Sequence, residues 1–157
     1  MRGGGLIDLQ SSMASLLGPG EPLLLVAYGT RNRGVLGTLA DVGLAVLDSF
    51  GVGPRDLDEG IAFALTPDRL VMADVRRMIP ALGMTVRFVF ARLDALPLAQ
   101  LKGTKVAVRT LGRAITLLHG RFGDTEVDVM FRPLAGFPEA GPLGAQLAEQ
   151  VQRACAL

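Results

Sequence analysis

The chain has 157 residues, half of them apolar and 20% charged, which is a globular composition and predicts one domain over residues 1–157. Its net charge of +1 provides no overall field that would attract nucleic acid or a membrane. The single cysteine excludes an internal disulfide, and one histidine leaves few metal ligands. Together with the lack of a long apolar run, these features predict a cytoplasmic protein without a transmembrane segment.

The N-terminal third alternates apolar segments with glycine-bounded breaks. Leu6–Leu17 carries apolar residues at helical spacing and predicts a short helix. Pro22–Tyr28 is a continuous apolar run, typical of a buried strand, and Gly29–Gly34 predicts a polar loop after it. Apolar residues recur near helical spacing over Val35–Phe50, which predicts an inserted helix, and Gly51–Gly60 predicts a loop.

Residues 61–74 predict a β-hairpin. Ile61, Phe63 and Leu65 alternate with alanines, so the two sets should face opposite sides of a strand. Thr66–Arg69 contains a proline at the second position, which suits a type I turn.

The C-terminal half predicts strands with short glycine turns, closed by one helix. Residues 75–83 predict a short helix or loop before these strands, and residues 94–102 predict a connector between them. Alternation predicts strands near 85–92, 105–110, 114–119 and 125–132. Gly141-Pro142 opens the last helix, which is expected to run to about Cys155.

Three short stretches carry a family resemblance. They are Gly20–Leu25 entering the first strand, the hairpin Leu65–Val71 and the connector Leu96–Leu101. With the glycine-turned strands and the single terminal helix that follow, they make residues 20–157 similar to bacterial domains of the pleckstrin-homology-like (PH-like) family.

The resemblance implies an α+β fold that is mainly antiparallel, with a roll of about seven strands closed by the C-terminal helix. To this the sequence adds a helical N-terminal extension over residues 1–19 and an inserted helix near residues 35–53. The insertion departs from the family pattern because it interrupts the passage from the first strand to the second. The resemblance implies no catalytic residues and no cofactor.

The residues with catalytic potential are few and scattered. His119 is the only histidine and is expected to be structural, at the end of a strand. Cys155 falls in the last turn of a helix, where the dipole raises the thiol pKa and predicts an inert side chain. No metalloprotease, nucleophile-elbow or P-loop motif is present. We therefore predict no catalytic site and no metal site.

Anion binding is the sharper expectation. Thr30, Arg31 and Arg33 lie in the predicted glycine-bounded loop, where backbone N–H groups and guanidinium groups suit phosphate. In pleckstrin-homology domains the loop after the first strand binds phosphoinositide headgroups, so the resemblance implies the same place. Lys105, Arg109 and Arg113 would extend the patch if they fall on the same side. An anionic lipid or a phosphorylated small molecule is the predicted ligand, and a merely solvated loop is the other interpretation.

The predicted function is a non-catalytic binding or scaffold module that associates with itself or with a protein partner. Self-association is expected because residues 6–17 and 35–50 are more apolar than surface segments usually are. Packing on the core and membrane contact remain the other interpretations of residues 35–50. The lack of aromatic residues near the basic loop disfavours single-stranded nucleic acid as a partner.

A small α/β enzyme is the alternative. Residues 23–34 would then form a strand and a loop that bind a phosphate or a tetrapyrrole, because they resemble the first strand of the small cobalt and iron chelatases. Tyr28 stands where that family has its metal-binding histidine. The two interpretations differ in the direction of this strand, which is antiparallel to its neighbours in the roll and central and parallel in the enzyme.

Overall fold

A computed structural model describes residues 4–31, 55–79, 87–112, 114–134 and 137–156. The elements, in chain order, are α1 (Gly4–Ser15), β1 (Leu25–Arg31), β2 (Arg55–Leu65), β3 (Arg69–Ile79), β4 (Arg87–Pro97), a 3-10 turn (Leu98–Leu101), β5 (Val106–Leu111), β6 (Ile115–Phe122), β7 (Thr125–Phe131) and α2 (Ala140–Ala156). The predicted insertion near residues 35–53 lies outside the described residues.

All seven strands form one antiparallel sheet in the order β4-β3-β2-β1-β7-β6-β5. The α+β, mainly antiparallel fold with an N-terminal and a C-terminal helix is therefore confirmed. Strand β1 is antiparallel to β2 on one side and to β7 on the other. The central parallel strand that the α/β alternative requires is thus not the arrangement of residues 25–31.

The sheet curves until its β4 side meets the turn between β6 and β7. The hydroxyl of Thr125 donates a hydrogen bond of 2.9 Å to the carboxylate of Asp94 on β4. Beside it, a β-carbon at Gly123 would lie 3.1 Å from Leu96, and the φ of +63° at Gly123 is one that glycine adopts without strain. These contacts join strands that lie far apart in the sheet order, as a roll requires.

The inner face of the roll is filled by side chains from both halves of the sheet and by α2. The helix contributes Leu147, Ala148, Val151 and Cys155. Leu147 and Ala148 precede Val151 by four and three residues, and Cys155 follows it by four, which places all of them on one side of the helix. From the sheet, Phe63 and Phe131 meet with ring centroids 5.8 Å apart in a tilted arrangement.

The outer face of β1, β2 and β3 is covered by α1. Leu6, Leu9 and Met13 of the helix are buried in a second apolar cluster that includes Val26 and Tyr28 of β1. The alanines of β2 face this cluster, and their small side chains leave room for the helix. The predicted alternation in residues 61–65 is confirmed, and the apolar stripe of α1 is used within the chain.

Several segments predicted as loop or helix are strand. Strand β2 begins at Arg55, within the predicted loop 51–60, and β3 continues through Val75–Ile79, where a short helix or loop was expected. Strand β4 likewise runs through Asp94–Pro97 of the predicted connector. Antiparallel neighbours satisfy the backbone groups of these long strands even where the sequence is polar, so local polarity does not end them.

The hairpin turn Thr66–Arg69 is confirmed and fixed from two sides. The Thr66 backbone N–H donates to the Arg69 carbonyl at 3.0 Å, and the Thr66 hydroxyl oxygen accepts the Arg69 backbone N–H at 3.0 Å. The Arg69 guanidinium donates two hydrogen bonds of 2.7 Å to the carboxylate of Glu21. This bidentate pair ties the turn to the segment that enters β1.

We expect the Glu21–Arg69 pair to make stability depend on pH in acid. The hydrogen bonds from Arg69, and next the backbone N–H of Gly18, lower the pKa of Glu21 from 4.5 to about 2. A depressed pKa stabilises the fold above about pH 4.5, and this contribution is lost as pH falls toward 2. Urea unfolding at pH 7 and pH 3 should show Glu21→Gln losing less stability on acidification than the wild type.

The exposed pair between Glu149 and Arg153 provides the control, because its two side chains are more than half exposed. Glu149→Gln should keep the pH response of the wild type. Equal acid sensitivity of Glu21→Gln and the wild type would contradict the role given to Glu21.

Candidate functional site

The end of β1 carries two of the predicted ligand residues, but it is strand and not loop. Thr30 pairs with Met130 of β7, and its hydroxyl donates to the Met130 carbonyl at 3.3 Å. Its side chain is buried, so it is not presented to a ligand. A β-carbon at Gly29 would lie 2.9 Å from Phe131 and from Val129, so this glycine serves close packing. The prediction of a glycine-bounded loop starting at residue 29 is therefore wrong for residues 29–31.

Arg31 is exposed and lies beside acidic residues. Its guanidinium is 3.7 Å from the carboxylate of Asp74 on β3. A cleft of about 270 Å³ there is also lined by Glu59 and Arg76, which face each other across β2 and β3. Among the described residues that line this cleft, two acids thus balance two arginines, so the cleft has no positive excess to attract an anion. Arg33 lies outside the described residues.

Two other predicted residues lie elsewhere, and Arg113 lies outside the described residues. Lys105 immediately precedes β5, and Arg109 lies within it. Strand β5 is three steps of about 4.8 Å from β1 along the sheet. Lys105 and Arg31 also line different clefts. The structure therefore does not gather the predicted residues into one patch.

The outer face of β5 and β6 brings together a different set of cations. Ala107 is opposite His119, and Arg109 is opposite Leu117. Residues opposite each other, and residues two apart along a strand, share a face of the sheet. We call the set on this outer face the basic face; its members are Lys105, Arg109, His119 and Arg121, all of them exposed.

The acidic neighbours of the basic face come from β7. Asp128 lies opposite His119, and Glu126 lies opposite Arg121. The Nδ1 atom of His119 is 3.8 Å from a carboxylate oxygen of Asp128, with both side chains about half exposed (55% and 46%). The carboxylate of Asp128 thus lies beside the Nδ1 edge of the imidazole.

The charge balance of this region is positive. Among the residues that the structure describes, Lys105, Arg109 and Arg121 form no ion pair within 4 Å. Three cations and one histidine thus stand against two acids, and the acids lie on the far side of β6 from β5.

A depression of about 410 Å³ lies on the basic face, lined by Lys105, Val106, Ala107, His119, Gly120, Arg121 and Glu126. Of the residues that line it, Ala107 presents the smallest side chain on the outer face of the sheet. Lys105 and Arg121 contribute cationic side chains to its lining. This arrangement suits an anion with several oxygen atoms.

Groups for covalent or metal chemistry are not assembled in the parts of the chain that the structure describes. Cys155 is buried, and this burial raises the pKa of its thiol, which disfavours the reactive thiolate. Across the described ranges, no group of three or more histidine, cysteine or acidic residues is placed to hold a metal ion. The described helices also include none that is long and apolar enough to cross a bilayer.

Two members of the basic face were absent from the predicted site. His119 was interpreted as structural, and Arg121 was not among the predicted ligand residues. Their place beside Lys105 follows from the pairing register of β5 with β6. The alternation of each strand was visible in the sequence, but the register was not.

Comparison with known proteins gives little guidance. No protein-family model matches the chain, and no curated protein matches it. Among solved structures, the chain is similar to the hSac2 domain from the human phosphoinositide phosphatase Sac2, with 13% sequence identity. The similarity covers 95% of this chain and 80% of that one, with a TM-score of 0.42. At this identity and TM-score the likeness carries no argument about fold or function.

Proposed function

We propose that this protein is a non-catalytic binding module that recognises an anionic partner through the basic face. The observation that carries the proposal is the difference between the two halves of the sheet. The outer face of β1, β2 and β3 is buried under α1, whereas the outer face of β5 and β6 presents exposed cations. Exposed cations that are not neutralised by ion pairs attract an anionic surface at modest cost in desolvation.

The PH-like resemblance fits this proposal in one respect and departs from it in another. An antiparallel roll closed by a helix is a common frame for binding modules, and the resemblance implies no catalytic residues. The family, however, places its anion site after the first strand, where Arg31 here lies beside Asp74. The basic face is the better site in this chain because its cations outnumber its acids.

Reversing the charges of Lys105 and Arg109 tests the proposed site. We expect Lys105→Glu combined with Arg109→Glu to weaken binding of short-chain polyphosphate about tenfold or more, since several favourable charge contacts become repulsive. Isothermal titration calorimetry at low salt measures the affinity. Both side chains are exposed, so the melting temperature should remain that of the wild type.

Arg31→Glu is the matched control because it reverses an exposed arginine three strands away. It should change polyphosphate affinity by less than about threefold, since screening shortens the reach of a surface charge. Loss of binding in Arg31→Glu with retention in the double variant would move the site to the end of β1. A wild-type protein that does not bind polyphosphate at all would refute the proposed function.

Self-association and a cytoplasmic location stay predictions. Leu6, Leu9 and Met13 of α1 are buried on the chain's own sheet, so they are not available for contact with a second copy. Residues 35–50 lie outside the described residues.

A further inference from the structure

The depression on the basic face is lined by basic side chains from β6 and from the residue that precedes β5. Ala107 forms part of its floor, and Lys105 precedes Ala107 by two residues on the same face. Arg109 follows Ala107 by two residues, also on that face. His119 lies directly opposite Ala107 on β6, and Arg121 lies two residues beyond His119. One alanine is thus surrounded by four side chains that can carry positive charge.

Two acids, Asp128 and Glu126, lie next to the cations of the depression. Asp128 lies against the Nδ1 side of His119, which leaves the Nε2 side of the ring for another partner. Glu126 lines the depression beside Arg121, which it faces across β6 and β7. Among the described residues, Asp128 lies directly opposite His119, and Lys105, Arg109, Arg121 and Glu126 lie at neighbouring positions on the same face. This balance favours a ligand with two negative charges over one with a single charge.

We propose that this depression binds the dianion of a phosphate monoester, with Lys105, His119 and Arg121 as its ligands; the inference rests on the proposed function and specifies its ligand. A terminal phosphate has three oxygen acceptors pointing in different directions, which matches donors arriving from two strands. A carboxylate has two acceptor oxygens in one plane, so it accepts from fewer donors than a phosphate monoester does. A phosphodiester has one negative charge, so these cationic ligands attract it less strongly than a dianion. The small side chain of Ala107 leaves space among these three ligands, which line the same depression.

Filling the floor tests this inference without changing any charge. Ala107 is exposed on a strand, where β-branched residues are well tolerated, so Ala107→Ile should fold normally while occupying the depression. Ala107→Ser is the matched control with a small side chain. Ala107→Val is a second, smaller obstruction in case the isoleucine variant melts early.

The single histidine gives a direct probe of the site. His119 is the only histidine in the chain, so the imidazole signals in a proton–carbon NMR spectrum belong to it alone. We titrate inorganic phosphate, and then glycerol phosphate, into the wild type and the three variants. Saturable shifts are expected in the wild type and in Ala107→Ser, with affinity reduced about tenfold or more in Ala107→Ile.

Polyphosphate binding separates the failure of this inference from the failure of the proposed function. Ala107→Ile keeps every cation, so its polyphosphate affinity should stay within about threefold of the wild type. If polyphosphate binds but phosphate monoesters do not shift His119 saturably, the phosphate site is refuted and the basic face stands. If monoester affinity is unchanged in both Ala107→Ile and Ala107→Val, the depression is not the site.

Binding to lipid vesicles shows whether the phosphate group is free in solution or carried by a lipid. Sedimentation compares vesicles of phosphatidic acid, which display a monoester, with vesicles of phosphatidylglycerol at equal surface charge. Preference for phosphatidic acid that is lost in Ala107→Ile identifies a lipid-borne monoester. Saturable binding of glycerol phosphate without sedimentation identifies a free one. Equal sedimentation with both lipids would overturn the monoester selectivity.

Discussion

Replacing Gly144 by alanine should destabilise the fold by about 3 kcal/mol, although alanine is the better helix former. Gly144 lies in the first half of α2, where the helix crosses β7. A β-carbon there would overlap Phe131 at its Cβ, Cγ and Cδ1 atoms. Phe131 is fully buried and packs against the ring of Phe63, so it cannot turn aside. The helix would have to move away from the sheet.

Urea unfolding of Gly144→Ala measures this cost. The control is Ala145→Gly at the exposed neighbouring position, which should lose only about 1 kcal/mol through helix propensity. The two exchanges have opposite effects on propensity, so propensity alone would make Gly144→Ala the more stable of the two. A Gly144→Ala protein as stable as the wild type would show that α2 does not approach β7 this closely.

Replacing Gly60 by alanine should cost about 3 kcal/mol or more, because the obstacle is backbone on the neighbouring strand. A β-carbon at Gly60 would overlap the carbonyl oxygen of Gly29 and lie 2.9 Å from its carbonyl carbon. At this point β1 leaves β2 and continues along β7 through Thr30 and Arg31. The added methyl group would force apart the strands that join the two halves of the sheet.

Thermal unfolding together with amide hydrogen exchange tests this second effect. In Gly60→Ala the amides of Thr30 and Arg31 should exchange faster, because their strand pairing is disturbed first. Gly18→Ala is the control, since a β-carbon there meets only a side-chain oxygen of Glu21 at 3.8 Å. That variant should stay within about 0.5 kcal/mol of the wild type. Wild-type melting of Gly60→Ala would contradict the close approach of the two strands.

The strands of the C-terminal half were predictable because each alternates on its own. Strands β5, β6 and β7 have one face on the core and one face exposed, and their boundaries fall within a few residues of those expected. The hairpin turn Thr66–Arg69 and the closing helix α2 were also predictable from local signals. Proline and glycine placement predicted the turn, and helical spacing predicted the helix.

The errors in the N-terminal half have tertiary causes. Gly29-Thr30-Arg31 has the composition of a loop, but the glycine is required by the side chains of β7 that pack against it. Gly60 likewise lies inside β2 because the backbone of β1 crosses it closely. A sequence alone does not distinguish a glycine that ends a strand from one that lets another strand approach.

The candidate site was half predictable. Lys105 and Arg109 were predicted to extend the basic loop that carries Arg31. The balancing of Arg31 by Asp74 and the addition of His119 and Arg121 depend on which residues face each other across strands. A shift of one residue in the register would move those side chains to the other face of the sheet, and charge patterns in the sequence do not fix the register.

A backbone amide NMR titration with short-chain polyphosphate would locate the anion site on the sheet. We expect the largest shift changes in Val106–Leu111 and Ile115–Phe122, with Leu25–Arg31 little affected. Shift changes concentrated in Leu25–Arg31, with β5 and β6 unchanged, would contradict it. In that case the anion site would lie at the end of β1 and not on the basic face.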